Sequence, residues 1–316
     1  MKTNVLICLY LIFTLPSTTL FAQKSSFNFE ANTKMITVHD ETFPVVDFGE
    51  GPVILLLHGF PDSKEVWANQ IPALAAAGYR VLAPDLRGVS NAPSPLEKEH
   101  YAIPQLMADV VGILDALEIK KTHVVGHDWG AALAWALATY QTQRFSSLIA
   151  LSVGAPASPG WSSIEQREKS WYFYLFIQKG LAEKSLTNNN WELFRSIANG
   201  HKNIDSVIKR LTAPNALTTA LNWYRGNFSF LMSPCEGEYQ GDGQYFPPGG
   251  KKVTLPVLGV WSENDHALLE PQMKQSNVAV ESTFVYKKIS DAGHWMMLDK
   301  PKELNALLME FIKAHS

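Results

Sequence analysis

Short apolar runs alternate with helical patterns through the first half of the chain. Val53–Leu57, Tyr79–Ala83 and Thr122–Val125 are continuous apolar runs, which are typical of strands buried on both faces. Between these runs, Ile71–Ala77 and Ile103–Leu117 show the apolar spacing of helices that present one face to a core. This alternation predicts an α/β fold with a mostly parallel sheet wound on both sides by helices.

The same pattern extends to the two ends of the chain. Two short alternating segments in Met35–Val46 predict a hairpin that leads into the sheet. Ser147–Val153 predicts a further strand. The alternation then resumes near the end of the chain with Leu255–Trp261, Thr283–Lys287 and a helical pattern at Pro301–Lys313.

The alternation stops between residues 154 and 252. This stretch is rich in aromatic residues, has a helical pattern and ends in a turn-rich loop. We interpret it as a helical lid inserted into the sheet domain, above the carboxyl edge where open α/β sheets bind ligands. Most of its aromatic residues must simply pack the lid helices together. The predicted division is therefore a core at 23–153 and 253–316, with a lid at 154–252.

Composition and the N-terminus restrict the setting in which the protein works. The chain has 316 residues, of which 46% are hydrophobic, and a net charge of −3 without a basic block, so we expect a large core and no nucleic-acid partner. Residues 1–22 read as a signal peptide, with Lys2, an apolar stretch at Val5–Leu15 and a small residue at Ala22. We expect export to a periplasm or to the medium and no stable membrane insertion after cleavage; an uncleaved anchor is the alternative. Cleavage would remove Cys8 and leave Cys235 without a disulfide partner.

The candidate nucleophile lies where an apolar strand meets an alanine-rich helical stretch. Val124-Val125-Gly126-His127-Asp128-Trp129-Gly130 has the strand–sharp turn–helix form of a nucleophile elbow, with Asp128 where a serine usually stands. A carboxylate suits displacement at an sp³ carbon, which leaves an alkyl ester that water must cleave. The replacement therefore favours epoxides or alkyl halides over esters as substrates.

Two further residues follow later strands and complete a triad. Asp265 and His294 each come just after a predicted strand, so both side chains are expected at the carboxyl edge of the sheet. The chain order of nucleophile, acid and histidine is that of a nucleophile-elbow triad. His294 is the predicted general base for water, and Asp265 is predicted to orient it; Glu263 is the alternative acid.

The loop after the first buried strand, His58-Gly59-Phe60-Pro61-Asp62, predicts part of an oxyanion hole. Ester cleavage develops negative charge on the carboxyl group of Asp128, and we expect the backbone N–H groups of Phe60 and Trp129 to stabilise it. His58 and His127 are expected to hold loops in place. Residues 83–88 are interpreted as a scaffolding turn held by a buried ion pair.

Four motifs taken together resemble a known family. They are His58-Gly59-Phe60-Pro61, Asp85-Leu86-Arg87-Gly88, Gly126-His127-Asp128-Trp129-Gly130 and Gly293-His294-Trp295. In this order and spacing, over roughly residues 34–314, the chain resembles the epoxide hydrolase branch of the α/β-hydrolase fold. The resemblance implies two lid tyrosines that protonate the epoxide oxygen, and the matching segments place them at Tyr172 and Tyr224. Tyr174 is an alternative for the first position.

Other readings of the same residues stay open. Haloalkane dehalogenases share the aspartate, the histidine and the tryptophan after the nucleophile, but they usually carry Asn or Glu at the position of Phe60. Fluoroacetate dehalogenases carry arginines just after the nucleophile, whereas this chain has Ala131, Ala132 and Leu133 in that region. A hydrolase fold that only binds a ligand is the non-enzymatic alternative. The preferred hypothesis is an epoxide hydrolase that uses no cofactor and no metal and acts on small apolar epoxides, as a monomer or a homo-oligomer.

Overall fold

The sheet is built from eight strands, and each lies within a few residues of a segment that the sequence pattern predicted as a strand. The computed structural model describes residues 27–227 and 250–316 of the chain. The strands are β1 (Thr33–Val38), β2 (Glu41–Phe48), β3 (Val53–Leu57), β4 (Arg80–Pro84), β5 (Thr122–His127), β6 (Phe145–Leu151), β7 (Val257–Ser262) and β8 (Phe284–Ile289).

The strand order is β1-β2-β4-β3-β5-β6-β7-β8. β2 pairs antiparallel with both β1 and β4. The other six strands, β3 to β8, are all parallel to one another. The predicted hairpin is confirmed as β1 and β2, which turn at His39 and Asp40, both with positive φ. Such a turn matches the twist of the strands that it joins. The mostly parallel α/β sheet is thus confirmed.

Helices cover both faces of the sheet and form the insertion. Before the insertion they are α1 (Phe29–Asn32), α2 (Gln70–Ala76), α3 (Ile103–Ala116) and α4 (Trp129–Tyr140). Between β6 and β7 come α5 (Ile164–Lys169), α6 (Tyr172–Phe176), α7 (Leu181–Ile197), α8 (Ile204–Leu211) and α9 (Ala216–Gly226). After β7 come α10 (Glu270–Lys274), α11 (Met296–Asp299) and α12 (Pro301–Ala314). The predicted helical insertion is therefore confirmed.

The centre of the core explains why the elbow is rigid. β3 and β5 are buried along nearly their whole length, and every residue of α4 from Trp129 to Thr139 is buried. A helix that is apolar on all sides is stable only inside a core, and the small side chains of α4 let it approach the sheet closely. The nucleophile turn between β5 and α4 is thus fixed at both ends.

Two details of the insertion differ from a plain helical pattern. α7 is interrupted at Asn188–Trp191, where the backbone leaves helical angles, so its two halves run in different directions. The loop that contains Cys235 and the predicted signal peptide at 1–22 lie outside the described residues. None of the helices in the two described ranges has the length and apolar character needed to cross a bilayer.

The turn at residues 83–88 is held by three ion pairs, whose partners lie in other segments. Asp85 accepts hydrogen bonds from the backbone and the ammonium group of Lys64, at 2.9 and 2.5 Å. Arg87 forms two hydrogen bonds of 2.7 Å with the Asp109 carboxylate and also pairs with Glu41. The prediction of a scaffolding turn held by a buried ion pair is confirmed. The partners come from distant segments, which the local sequence does not reveal.

Candidate active site

Asp128 occupies the sharp turn between β5 and α4. Its backbone angles, φ 52° and ψ −123°, lie in a region that non-glycine residues rarely adopt. The turn closes tightly, since a Cβ added at Gly126 would lie 2.2 Å from the carbonyl oxygen of Gly130. This is the strained geometry of a nucleophile elbow, and it exposes the side chain at the end of the sheet.

The Asp128 carboxylate is held at one oxygen and partly exposed to a cavity. Oδ1 accepts a 2.8 Å hydrogen bond from the backbone N–H of Phe60, and the side chain keeps 15% of its surface exposed. Gly59 permits this contact, because a Cβ there would lie 2.4 Å from the Cβ of Asp128. The position of the carboxylate at the N-terminus of α4 also favours its negative charge.

His294 lies between two carboxylates. Its Nδ1 is 2.9 Å from Oδ2 of Asp265, and its Nε2 is 3.6 Å from Oδ2 of Asp128. Because an ionised carboxylate only accepts hydrogen bonds, Nδ1 must carry a proton and donate it to Asp265. Oδ1 of Asp265 accepts the backbone N–H groups of Ala267 and Leu268, at 2.9 and 3.0 Å, so both of its oxygens are engaged.

The structure brings Asp265 to His294, and Glu263 lies elsewhere. The side chain of Glu263 is 43% exposed and contacts Lys288 at 3.7 Å. Asp265 follows β7, and His294 follows the neighbouring strand β8, so their loops meet at the same edge of the sheet. The alternative acid is therefore not placed to orient the histidine.

The charges around His294 set its protonation state. Burial lowers the pKa of His294, but the carboxylates of Asp265 and Asp128 outweigh burial and raise it above its ordinary value. Burial raises the pKa of Asp265, yet His294 and the two backbone donors lower it overall. The two carboxylates therefore favour the protonated form of His294.

One of the two predicted oxyanion donors binds the resting carboxylate. The backbone N–H of Phe60 donates to Oδ1 of Asp128, and its role toward a developing oxyanion stays a prediction. Trp129 is the first residue of α4, and its backbone N–H makes no hydrogen bond to the Asp128 carboxylate in the part of the chain that the structure describes. The donors of an oxyanion hole are judged by their distance from the place where the oxyanion forms, and that place differs from the position of the carboxylate oxygen in the resting site. The role of Trp129 therefore stays a prediction.

A largely apolar cavity opens in front of Asp128. It has about 580 Å³ of atom-free space, including its mouth. Its lid side is lined by Tyr172, Phe173 and Tyr224, and its core side by Trp129, Ala132, Val153, Pro156, Trp161 and Leu268. The structure thus brings both predicted tyrosines into one cavity with the candidate nucleophile.

The two tyrosine hydroxyls keep their protons at neutral pH. Burial raises the pKa of each hydroxyl well above its ordinary value, and the negative charge of Asp128 raises it further. Tyr174, the alternative on the same short helix as Tyr172, is half exposed and does not line this cavity. One cavity therefore holds two phenolic O–H groups and a carboxylate.

His58 and His127 bond loops together, as predicted. Nε2 of His58 accepts the backbone N–H of Leu86 at 3.0 Å, and Nε2 of His127 donates to the carbonyl oxygen of His294 at 2.9 Å. Burial lowers the pKa of both histidines, to about 4 for His127. Both rings are therefore neutral near pH 7.

Sequence reasoning gave no role to Asp62, which joins three parts of the site. Its Oδ1 accepts from Nε2 of His201 in the insertion, and its Oδ2 accepts from the indole of Trp295 beside His294, each at 2.8 Å. Asp62 also follows Phe60 in the loop that supplies the oxyanion donor. Its place in the His58–Asp62 motif was the available signal, but its partners are 139 and 233 residues away.

Comparisons with known proteins agree with this geometry. A family model described as alpha/beta hydrolase fold matches residues 52–301. Epoxide hydrolase A of Mycobacterium tuberculosis is 30% identical over 321 residues, which cover 88% of this chain and 96% of the relative. Bifunctional epoxide hydrolase 2 of Sus scrofa is 30% identical over 306 residues, covering 85% of this chain, and the chain spans about half of that relative's length, 52%. A solved structure from a study of epoxide hydrolases in metagenomes from hot environments has a TM-score of 0.74 and 26% identity, covering 89% of this chain and 98% of the other.

Proposed function

Because the chain belongs to the α/β-hydrolase fold family, in the branch that contains the epoxide hydrolases, we propose that it hydrolyses epoxides to vicinal diols through an ester on Asp128. The observation that carries this proposal is the single cavity that holds a carboxylate nucleophile and two protonated tyrosines. An alkoxide is a very poor leaving group near neutral pH, so a positioned acid contributes on the order of 10²–10⁴ in rate. The substrate is a small, apolar epoxide, in keeping with the apolar lining.

The first step opens the ring. Oδ1 of Asp128 is bound by the N–H of Phe60, which leaves Oδ2 as the attacking oxygen. Oδ2 forms a bond to one epoxide carbon while the carbon–oxygen bond of the ring breaks. Tyr172 and Tyr224 donate to the epoxide oxygen, and one of them transfers a proton to it. The product of this step is a hydroxyalkyl ester on Asp128.

The second step cleaves that ester with water. His294 removes a proton from water, the resulting hydroxide attacks the carboxyl carbon, and Asp265 stabilises the imidazolium that forms. The N–H groups of Phe60 and Trp129 stabilise the tetrahedral oxyanion. Its collapse breaks the ester bond and releases the diol oxygen as an alkoxide, which takes the proton of the new carboxyl group and restores the carboxylate of Asp128. The proton on the imidazolium returns to the tyrosinate that the first step left, so both residues regain their starting states.

A dehalogenase is the alternative that shares the triad. A halide leaves without a proton, so two buried tyrosine hydroxyls in the cavity of the nucleophile would have no task in that reaction. The side chain of Phe60 also supplies no donor to a halide. These features favour an epoxide over a haloalkane.

The direct test is diol formation by the purified protein from terminal and aryl-substituted epoxides, with halide release from bromoalkanes measured in parallel. We expect diol and no halide. Asp128→Ala should lower kcat/KM by at least about 10⁴-fold because it removes the nucleophile. Asp205→Ala is the matched control, since that side chain is 86% exposed and pairs with Arg195 on the surface. Halide without diol, or full activity in Asp128→Ala, would overturn the proposal.

The export prediction remains part of the proposal. A signal peptide at residues 1–22 would place the enzyme in a periplasm or in the medium. The N-terminal sequence of the protein recovered from the outer compartment tests this, and we expect it to begin at Gln23. Recovery of the protein only inside the cell, with Met1 retained, would contradict export.

A further inference from the structure

Three neighbouring strands donate side-chain hydrogen bonds to the backbone of the loop that carries His294. The last residue of β5 is His127, the last residue of β7 is Ser262, and Ser152 directly follows β6. These strands lie side by side in the sheet, next to β8, whose loop contains Gly293 and His294. The three side chains are fully buried. They form a row of donors along the carboxyl edge of the sheet, which we call the donor row.

The donor row binds the carbonyl oxygens of two consecutive residues. Oγ of Ser262 donates to the carbonyl oxygen of Gly293 at 2.6 Å. The carbonyl oxygen of His294 accepts from Nε2 of His127 at 2.9 Å and from Oγ of Ser152 at 3.3 Å, so both of its lone pairs are used. A buried carbonyl that loses such a donor is left unsatisfied, which costs free energy. The donor row therefore defines where the backbone of the histidine lies.

Ser262 connects the loops of both triad partners. Its carbonyl oxygen accepts the backbone N–H of Asp265 at 3.0 Å, while its hydroxyl binds Gly293. From α11, Oδ2 of Asp299 accepts the backbone N–H of Gly293 at 2.9 Å. Both backbone polar groups of Gly293 are thus engaged. The residue before His294 has little freedom to move, and the histidine is held at a fixed place relative to the Asp265 loop.

Ser152 has a backbone conformation that a serine rarely adopts. Its φ is 66°, in the left-handed region. Two hydrogen bonds hold it there. Its N–H donates to the carbonyl oxygen of Val260 at 2.9 Å, and its carbonyl oxygen accepts from Nε2 of Gln272 at 2.6 Å. Such strain persists only where the surrounding structure imposes it, often at functional sites. In this conformation the serine hydroxyl reaches the carbonyl oxygen of His294.

We infer that Ser262 and Ser152 are positioning residues for ester cleavage, because their hydroxyls fix the backbone from which the His294 imidazole reaches the carboxyl group of Asp128. This inference rests on the proposed function. Nε2 of His294 lies 3.6 Å from Oδ2 of Asp128, and a general base must hold the attacking water within hydrogen-bond distance. A displacement of about 1 Å in such a site costs on the order of 10²-fold in rate.

Ester formation makes a smaller demand on the position of His294. In that step Asp128 attacks the epoxide while Tyr172 and Tyr224 assist the leaving oxygen. Within the described part of the chain, the hydroxyls of the two serines bond to backbone carbonyls of the histidine loop and to none of these three side chains. Loss of either hydroxyl should therefore slow ester cleavage selectively. A serine that only stabilises the fold would not distinguish between the two steps.

Ser262→Ala and Ser152→Ala remove the two hydroxyls, and Ser147→Ala is the matched control. Ser147 is also fully buried, and its hydroxyl bonds to Nδ1 of His123 at 2.8 Å near the opposite end of β6. We expect Ser262→Ala to slow ester cleavage by about tenfold or more and to leave ester formation within about twofold. Ser152→Ala removes a longer and weaker hydrogen bond, so we expect a slowing of about threefold. Ser147→Ala should change neither rate.

Both rates are measured with styrene oxide under single-turnover conditions, by rapid quenching and intact-protein mass spectrometry of the ester. Because the ester accumulates when its cleavage slows, KM should fall together with kcat in Ser262→Ala. Equal slowing of the two steps, or equal slowing of ester cleavage by Ser147→Ala, would overturn the inference. Thermal unfolding verifies that each variant folds. If Ser262→Ala does not fold, an unchanged rate of ester cleavage in folded Ser152→Ala is the contradicting result.

A measurement without substrate separates this inference from the proposed function. The proton on Nδ1 of His294 lies in the hydrogen bond to Asp265, and its downfield NMR resonance reports on the geometry of that bond. We expect this resonance to move upfield or to broaden in Ser262→Ala and to stay unchanged in Ser147→Ala. If the wild type converts no epoxide, the proposed function fails, while this change still supports the placement of His294 by Ser262. An unchanged resonance in Ser262→Ala would overturn it.

Discussion

At the scale of single residues, the charge of His294 depends on Asp128. Two carboxylates face the imidazole in the resting site, and together they raise its pKa against the effect of burial. Formation of an ester on Asp128 removes one of those two negative charges. The pKa of His294 must then fall, which favours the neutral imidazole, the form that can act as a base, at the moment when water has to be activated.

We predict different pKa values for His294 in the free protein and in the ester. In the free protein, an NMR titration of the ring should give a pKa above the ordinary value of about 6.5. The rate of ester cleavage under single-turnover conditions should rise with pH around a lower pKa. The same pKa in both experiments would show that Asp128 does not control the charge of His294.

The chemical character of these residues was visible in the sequence, but their contacts were not. Asp128, Asp265 and His294 each follow an apolar strand, and parallel strands end at one edge, so their approach could be predicted. The choice between Tyr172 and Tyr174 depends on which face of α6 is turned inward. A five-residue helix made almost entirely of aromatic residues gives no pattern that shows which face is buried. The structure places Tyr172 in the cavity.

At the scale of elements, the buried guanidinium group of Arg225 holds together the two helices that carry the tyrosines. Arg225 on α9 follows Tyr224, and its Nε donates to the carbonyl oxygen of Phe176 at the end of α6 at 3.1 Å. Its Nη2 lies 2.9 Å from Oε1 of Glu183 on α7, and the Arg225 side chain is only 4% exposed. α6, α7 and α9 are thus joined at a single guanidinium group.

We predict that Arg225→Met destabilises the protein by on the order of 3 kcal/mol, because it leaves the partly buried Glu183 carboxylate without its cation. Arg195→Met is the matched control: Arg195 also pairs with an acid in the insertion, but the side chains of that pair are 36% and 86% exposed. Its loss should cost less than about 1 kcal/mol. Urea unfolding of the three proteins measures both effects, and equal losses would contradict this account of the insertion.

The elements themselves were largely predictable, and the exceptions have local causes. The apolar runs placed the strands within a few residues; β5 extends past Val125 to His127 because it continues to pair with β6 as far as Leu151. The break in α7 at Asn188–Trp191 was not predicted, since three consecutive asparagines are compatible with a solvated helical face. The partners of Arg87 were missed because Glu41 and Asp109 lie in other elements.

At the scale of the whole molecule, Asp62 links the sheet domain to the insertion. Burial alone raises the pKa of Asp62, but hydrogen bonds from His201 and Trp295 lower it overall. A carboxylate with a lowered folded-state pKa stabilises the fold above its unfolded pKa of about 3.9, and this contribution is lost as the pH falls through the folded value. Contact between the insertion and the His294 loop therefore depends on ionised Asp62.

We predict that Asp62→Asn destabilises the protein by on the order of 2 kcal/mol at pH 7. The carboxylate accepts two N–H hydrogen bonds, whereas the N–H₂ group of asparagine would meet one of these N–H donors and could not accept from it. The difference from the wild type should shrink as the pH falls below about 3.9, because the unfolded chain takes up a proton at Asp62 there and the folded protein does so only at its lower pKa. Urea unfolding at a series of pH values tests this, with the exposed Asp205→Asn as control. A difference that is constant down to acid pH would contradict the proposed role of the charge.

The central claim is that Asp128 becomes a covalent ester and that His294 acts on that ester. His294→Gln should slow ester cleavage more than ester formation, so the variant should gain the mass of one epoxide molecule when it is mixed with styrene oxide. Intact-protein mass spectrometry followed by peptide mapping should locate the added mass on Asp128. No adduct in His294→Gln under single-turnover conditions, with diol still formed by the wild type, would contradict the mechanism.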